Sequence, residues 1–298
     1  MKKIYIAGCG GMLGEAFHKQ FSDFELKCTD IDVNAPWLSY LDFRDLAAYR
    51  RDVSTFKPDA LFHLGAHTGL EFCEQNIEDA YATNTLAVEN AVRIANALDV
   101  PLLYISTAGI FDGSKAVYDD FDVPNPLGHY ARSKYAGERF VVEHARRYLV
   151  CRAGWMMGGG PAKDKKFVQK MMAQIKAGKT ELFVVNDKLG TPTYTHDFAL
   201  CVKTLLAAEH WGLYNMVCDG LTSRLDVAHE LLRLLGLGGK IKITEVGSDY
   251  FIKEYFAARP DSERLINRKL ALRGLNNMRD WRVGLREYVE GYYADYLA

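Results

Sequence analysis

Tyr130 and Lys134 stand four positions apart in Asn125-Pro126-Leu127-Gly128-His129-Tyr130-Ala131-Arg132-Ser133-Lys134, a run without strand character. On a helix, that spacing puts both side chains on one face. A phenol titrates near ~10 in water, and an ammonium held beside it stabilises the phenolate and draws the pKa toward neutrality. The pair is therefore an arrangement for proton transfer. The same spacing also suits an amphipathic helix whose tyrosine packs inward while its lysine reaches water. The neighbouring elements decide between the two.

At the N-terminus, Lys3-Ile4-Tyr5-Ile6-Ala7 is a β-prone run that ends in Gly8-Cys9-Gly10-Gly11-Met12-Leu13-Gly14, and residues 15–24 read as the first helix. Glycines 8, 11 and 14 sit where the chain must turn sharply and where backbone must approach a pyrophosphate without a Cβ in the way. The helix N-terminus then faces the anion, which makes Gly8, Gly11, Met12, Leu13 and Gly14 candidate dinucleotide contacts. A second strand, Glu25-Leu26-Lys27-Cys28-Thr29, runs into Asp30-Ile31-Asp32. A carboxylate there accepts hydrogen bonds from the ribose of NAD and repels the extra phosphate of NADP. Asp30 is the first choice and Asp32 the second, with an ordinary turn role as the competitor. No arginine follows to receive a 2′-phosphate, so NAD(H) is favoured and NADP(H) remains compatible.

Leu41-Asp42-Phe43-Arg44-Asp45 opens a helix through Phe56. Asp42 and Phe43 fall where an adenine would lie, and helix capping by Asp42 competes with that role. The apolar strand Ala60-Leu61-Phe62-His63-Leu64 leads into Gly65-Ala66-His67-Thr68, small residues against which a cofactor can rest, so Leu64, Gly65, Ala66 and His67 join the candidates. His67 reads as a packing or polar contact in preference to a catalytic base. A long helix over 78–98 carries Asn84, and the strand Leu102-Leu103-Tyr104-Ile105-Ser106-Thr107 ends in hydroxyls. Thr107 can thereby converge with Tyr130 at one pocket. Strands alternating with helices imply right-handed βαβ units and an α/β fold with a Rossmann-like, doubly wound parallel sheet.

Beyond the strand 148–152, Gly158-Gly159-Gly160-Pro161 breaks the pattern. Lys163-Asp164-Lys165-Lys166 then offers either a diphosphate contact or a solvated loop face. A helix over 167–177, a strand at 181–185, a helix over 196–209 and a last sheet strand at 212–217 follow. This organisation predicts a cofactor domain from 1–152 and 181–218, and a smaller discontinuous α/β substrate lobe from 153–180 and 219–298. Tyr288 and Tyr292 near the C-terminus read as core packing.

Of the 298 residues, 49% are hydrophobic and 25% charged, ordinary for a globular chain that buries one large core or two smaller ones. A formal net charge of −1 argues against a nucleic-acid or membrane surface and points to small-molecule partners. Met1 to Gly8 reads as a strand and not as a signal segment, and no apolar run approaches the roughly 18 residues of a membrane helix. The six cysteines are widely separated without a Cys-x-x-Cys pair, so neither a disulfide framework nor a zinc site is expected. Buried free thiols in a reducing compartment place the protein in the cytoplasm.

With Gly8, Gly11 and Gly14, Thr107, and the Tyr130/Lys134 pair in order, the chain resembles the extended short-chain dehydrogenase/reductase superfamily. Within it, the chain is similar to the dTDP-4-dehydrorhamnose reductase family. The likeness runs through Ala66-His67-Thr68, Ser106-Thr107-x-x-Ile110-Phe111-Asp112-Gly113, Pro126-Leu127-x-x-Tyr130-x-x-Ser133-Lys134-x-x-Gly137-Glu138 and Arg152-Ala153-Gly154-Trp155. It continues through Asn186-Asp187-Lys188-Leu189-Gly190-Thr191-Pro192-Thr193, Arg259-Pro260-x-Ser262-x-Arg264-Leu265 and Asp280-Trp281-Arg282-x-Gly284-Leu285. The resemblance implies reduction of a keto group on a nucleotide-linked sugar, with a homodimer as a compatible assembly. Tyr130 would donate the proton, Lys134 would hold the nicotinamide ribose and lower the phenol pKa, and Thr107 would bind the same sugar oxygen. Thr68, Leu70 and Trp155 would lie beside the sugar. One departure stands out: where the family commonly has an aspartate and a tyrosine after the threonine, this chain has Ala108 and Gly109. Threonine followed by alanine is closer to the NAD-dependent sugar-nucleotide epimerases. An epimerase and a non-catalytic dinucleotide-binding regulatory subunit therefore stand as alternatives.

Overall fold

The computed structural model describes residues 1–297, leaving Ala298 at the end of the expected lobe outside the described residues. In its first strand, β1 (Lys3–Ala7), Ile4 and Ile6 enter one core while Tyr5 and Ala7 enter another. The same division recurs in β4 (Ala60–His63), β5 (Leu102–Thr107) and β6 (Tyr148–Ala153): Phe62, Leu103 and Cys151 face one side, Leu61, Tyr104 and Val150 the other. Side chains alternate with a period of two along a strand, so strands that are apolar at every position need cover on both faces. That requirement produces a central sheet sandwiched between helices. With β2 (Glu25–Asp30), β3 (Leu38–Tyr40) and β7 (Gly212–Asn215), the sheet has seven strands in the order β7-β6-β5-β4-β1-β2-β3. Every pairing within it is parallel.

The helices start where backbone donors find partners. Helix α1 (Met12–Gln20) begins directly after Gly11, three residues earlier than the expected 15–24 and ending sooner. Phe17 on α1 packs its ring edge-on to Phe62 of β4 with centroids 5.5 Å apart. Helix α2 (Leu46–Phe56) is capped by Asp45, whose carboxylate accepts from the N–H groups of Ala47 and Ala48. The expected start at Leu41 is thereby corrected, as is a capping role for Asp42, which instead binds the backbone and guanidinium of Arg44. After the short α3 (Leu70–Gln75), the continuous helix expected over 78–98 is α4 (Ile77–Tyr81), a π turn (Ala82–Leu86) and α5 (Ala87–Leu98).

Helix α6 (His129–His144) carries Tyr130 and Lys134 in its first two turns. No side chain of its own caps Gly128, and Glu74 of α3 supplies the missing acceptor to His129 N–H at 2.6 Å. A carboxylate at that end also complements the helix dipole. Farther along α6, the buried Glu138 clasps Arg152 of β6 through Nε and Nη2, the closest contact 2.6 Å. This ion pair ties the helix to the sheet.

The C-terminal part builds its own small sheets. The strand Glu181–Val185, expected with the cofactor domain, pairs in parallel with Lys242–Val246 in a separate two-stranded sheet. Only the following helix, Thr195–Ala207, and β7 return to the main layer. A three-stranded sheet joins Thr222–Ser223, Leu189–Gly190 and Ser262–Glu263. As expected, Tyr288 is core, while Tyr292 adds a polar tip, its hydroxyl 2.9 Å from Glu15 Oε2 and 2.8 Å from His196 Nε2. All six cysteines are buried free thiols, and among the described residues no helix is long and apolar enough to cross a membrane.

Removing one partner of a buried ion pair strands the other charge in a low-dielectric interior. Glu138→Ala is therefore expected to lower unfolding stability by about 3–5 kcal/mol, read from the urea midpoint. Glu138→Leu combined with Arg152→Met removes both charges and should recover most of the loss.

Candidate active site

The carboxyl end of β5 places Thr107 at the start of a tight turn, Ala108–Ile110, where Thr107 Oγ1 accepts the Gly109 N–H at 3.1 Å. That leaves the hydroxyl proton free to be donated. Tyr130 stands half-buried one residue into α6, and its ring and the Thr107 hydroxyl border the same space at Gly109. Burial pushes the phenol up to about 12, and the opposing pull of the Thr107 hydroxyl does not overcome it. The group is a proton donor across the neutral range. The Lys134 Nζ donates to the Ile105 carbonyl at 2.6 Å and lies 4.2 Å from the centre of the Tyr104 ring. Burial draws the ammonium down to about 7, against the restoring pull of the Glu138 carboxylate.

The glycine turn has two kinds of glycine. Gly8 adopts φ +76°, and a Cβ there would fall 2.2 Å from the Gly65 Cα, so β1 and the loop after β4 meet only without side chains. A Cβ on Gly11 would meet nothing within 4 Å, and no side chain caps α1. The first N–H groups of α1, over Met12, Leu13 and Gly14, thus face an open cradle suited to a pyrophosphate. Asp30 closes one side: Oδ2 accepts Gly10 N–H at 2.8 Å and Oδ1 accepts Asp32 N–H at 2.9 Å. Each carboxylate oxygen retains a lone pair for a ribose hydroxyl. Asp32 is exposed and bonds the Asn34 amide. The residues present fit a dinucleotide.

Other expected contacts are distributed more unevenly. Phe43 is buried against Gly65 and packs edge-on to His63, while Leu64 N–H donates to Ala7 O at 2.8 Å and Ala66 is half-buried. Asp42 and His67 belong to one surface chain, Asp42 to Arg44 to Asp79 to His67, with the last contact at 3.0 Å. This matches the polar-contact reading of His67. Asn84 of the π turn, invisible as a site residue in the sequence, accepts His67 N–H at 2.8 Å and donates to His67 O and to Ser133 Oγ.

On the far side of the cleft, cations gather. Lys166 Nζ donates to both oxygens of Thr68 at 3.1 Å, and the Arg224 guanidinium stacks 3.6 Å from the centre of the Trp155 ring. Burial lowers the Lys166 pKa, and the nearby charges of Lys170, Arg224 and Arg259 push it the same way. Such a concentration of positive charge suits a diphosphate. The stretch 163–166 divides its lysines, since Lys163 Nζ instead reaches Gly10 O at 2.8 Å beside the glycine turn. Leu70 opens α3, half-buried. Trp155 donates its indole N–H to Glu263 at 2.7 Å. Arg224 and Glu263 carried no motif in the sequence, because their positions here come from distant turns of chain.

Comparison with known proteins places the chain among its relatives. A dTDP-4-dehydrorhamnose reductase of Mycobacterium tuberculosis is 31% identical over 95% of this chain and 91% of its own length. The crystal structure of a dTDP-4-dehydrorhamnose reductase from Clostridium acetobutylicum superposes with a TM-score of 0.87 at 31% identity, covering 97% of this chain and 98% of that one. A Bacillus anthracis dTDP-4-dehydrorhamnose reductase, solved in complex with NADP, gives a TM-score of 0.87 at 27% identity over 98% of this chain and 100% of that one. The family model described as the RmlD substrate binding domain matches residues 1–294. A parallel sheet ending in Thr107, a helix presenting Tyr130 and Lys134, and a match over nearly the whole length lead to one conclusion: the chain belongs to the dTDP-4-dehydrorhamnose reductase family of the extended short-chain dehydrogenase/reductases.

Proposed function

We propose that this chain reduces the 4-keto group of a nucleotide-linked sugar with NAD(P)H. The observation that carries the reading is the meeting of Thr107 and Tyr130 beside Gly109, which sets a desolvated phenol that stays protonated at neutral pH near a hydroxyl at a strand end. When bound, the reduced nicotinamide supplies the hydride. Tyr130 gives its proton to the sugar oxygen as negative charge develops there, and Thr107 holds that oxygen in line. Lys134 holds the nicotinamide ribose hydroxyls. Gly8, Gly11, Met12, Leu13 and Gly14 cradle the pyrophosphate, Asp30 takes the adenosine ribose with Asp32 behind it, and Asp42, Phe43, Leu64, Gly65, Ala66 and His67 line the dinucleotide. Thr68, Leu70 and Trp155 flank the sugar, and the cluster of Lys166, Arg224 and Arg259 supports binding of its diphosphate.

In this reading the sheet-bearing part binds cofactor and the C-terminal lobe closes over the sugar. The proposal extends to a cytoplasmic setting, which the six buried free thiols support, and to a homodimer, which analytical ultracentrifugation tests. Stoichiometric oxidation of reduced cofactor by a 4-keto sugar nucleotide is the direct test. Equilibration of two sugars without net cofactor use would instead identify an epimerase, and cofactor binding without turnover a regulatory subunit.

Tyr130→Phe keeps the ring and removes the acid, so kcat should fall by about 10²–10⁴-fold with the cofactor Kd unchanged. A variant that turned over at the parent rate would remove Tyr130 from the mechanism. Asp30→Asn weakens both the acceptor and the repulsion of a 2′-phosphate, and should move the kcat/KM ratio from NADH toward NADPH by roughly tenfold, about 1.4 kcal/mol. Lys134 loses its positive charge as pH rises through about 7. Accordingly, kcat/KM for the reduced cofactor should decline above that pH, and Lys134→Arg, which stays charged, should displace the decline to higher pH.

A further inference from the structure

Immediately after Thr107 the chain offers the sugar no carboxylate. Ala108 is buried among Ile110, Phe111, Tyr118, Val217 and Leu265, and Gly109 has no side chain. A Cβ built on Gly109 would nevertheless point to the reacting end of the site, 3.5 Å from Thr107 Oγ1 and 3.7 Å from Tyr130 Cε1. The nearest atom to that point belongs to neither. It is Glu263 Oε1, at 3.2 Å.

Glu263 arrives from the C-terminal lobe on the two-residue strand Ser262–Glu263, which pairs in parallel with Leu189–Gly190. Its two oxygens are used differently. Oε2 accepts the Trp155 indole N–H at 2.7 Å, whereas Oε1 accepts no hydrogen bond from the described residues. No lysine, arginine or histidine among the described residues lies within ion-pairing distance of the carboxylate. Arg224, the cation it influences, is occupied with the opposite interaction, stacking on the Trp155 ring at 3.6 Å. Holding a half-buried carboxylate with one open oxygen costs solvation free energy that a ligand donor can offset. Next to a C4 carbonyl, the sugar carbon that bears a hydroxyl is C3.

We propose that Glu263 determines sugar specificity by accepting a hydrogen bond from the 3-hydroxyl of the 4-keto sugar, from the lobe opposite to the one that carries Thr107. The assignment rests on the reductase reading above and names the substrate feature that reading leaves open. The carboxylate occupies the room that the missing side chain of Gly109 leaves, so the same position can be reached from either lobe.

The test compares the parent with Glu263→Gln, Glu263→Ala and the double variant Glu263→Ala/Gly109→Asp, each assayed with a 4-keto sugar nucleotide and with its 3-deoxy analogue. Glu263→Gln keeps an acceptor for Trp155 and so controls for folding, as does an unchanged cofactor Kd. In the two single variants, kcat/KM for the hydroxylated substrate should fall by about 100-fold while the deoxy analogue changes less than about twofold. Restoring a carboxylate at position 109 should recover at least about tenfold. Equal losses on both substrates would mean that Glu263 merely seats Trp155, and parent-like kinetics in Glu263→Gln on both would dismiss it altogether; either result overturns the assignment and leaves the reductase reading standing. A parent that oxidised no reduced cofactor with either compound would overturn the reductase reading and this assignment together.

Discussion

Asn84 is fully buried, and its amide makes three hydrogen bonds to groups that belong to two different parts of the site. It accepts the N–H of His67 and donates to the His67 carbonyl, fixing the loop after β4, and donates also to Ser133 on the helix that carries Tyr130 and Lys134. Each such bond is worth only about 1 kcal/mol net, but a buried amide left without partners costs more, so the loop and the helix hold one relative position. Ser133 in turn donates to the Tyr130 carbonyl at 2.9 Å, and Thr85 donates to the Ser133 carbonyl at 2.8 Å. The π turn over Ala82–Leu86 is the local departure from regular helix that contains Asn84. Such turns commonly mark functional positions, and here the turn links the loop after β4 to the helix that carries Tyr130 and Lys134.

Around that fixed geometry, burial governs the chemistry more than pairwise charge does. A phenol beside a lysine suggests an easily ionised tyrosine, yet Tyr130 is pushed the other way because it is taken out of water, and the opposing effect of the Thr107 hydroxyl does not overcome that. Lys134 is pushed down by the same desolvation, and its Nζ spends a hydrogen bond on a strand carbonyl. A reductase needs a proton donor at the moment hydride arrives, and a phenol held in its neutral form meets that need. His63, buried nearby and drawn down to about 3, stays neutral and adds no competing charge.

The C-terminal half of the chain supplies what the sheet cannot. The carboxyl ends of parallel strands present backbone and short hydroxyls, a good bed for a dinucleotide but a poor source of long charged side chains. Arg224, Arg259, Lys166 and Glu263 come from helices, loops and a two-residue strand of the C-terminal half, and they converge around Trp155 and Thr68. In the proposed reading the cleft is therefore chemically asymmetric, with the reacting hydroxyls on one wall and the charge recognition on the other.

From the sequence alone the alternation of apolar strands and helices, the glycine turn after β1, Asp30 at the end of β2, Thr107 at the end of β5 and the Tyr130/Lys134 face were all legible. Each is a local signal: a period of two, a residue that only glycine can replace, or a spacing of four on one helix. Errors fell where a local pattern has two solutions. Asp42 reads as a cap in the sequence, but the helix starts later and Asp45 caps it. A helical period over 78–98 does not reveal one widened turn, and the run 181–185 is strand-like whichever sheet takes it. What the tertiary structure alone decided were the long-range meetings: Asn84 with Ser133, Trp155 with Glu263, and Glu263 with the open space at Gly109. Sequence spacing encodes which side chains share a face, because backbone geometry is local. Which faces then meet depends on how distant segments pack, and that is a sum over the whole chain.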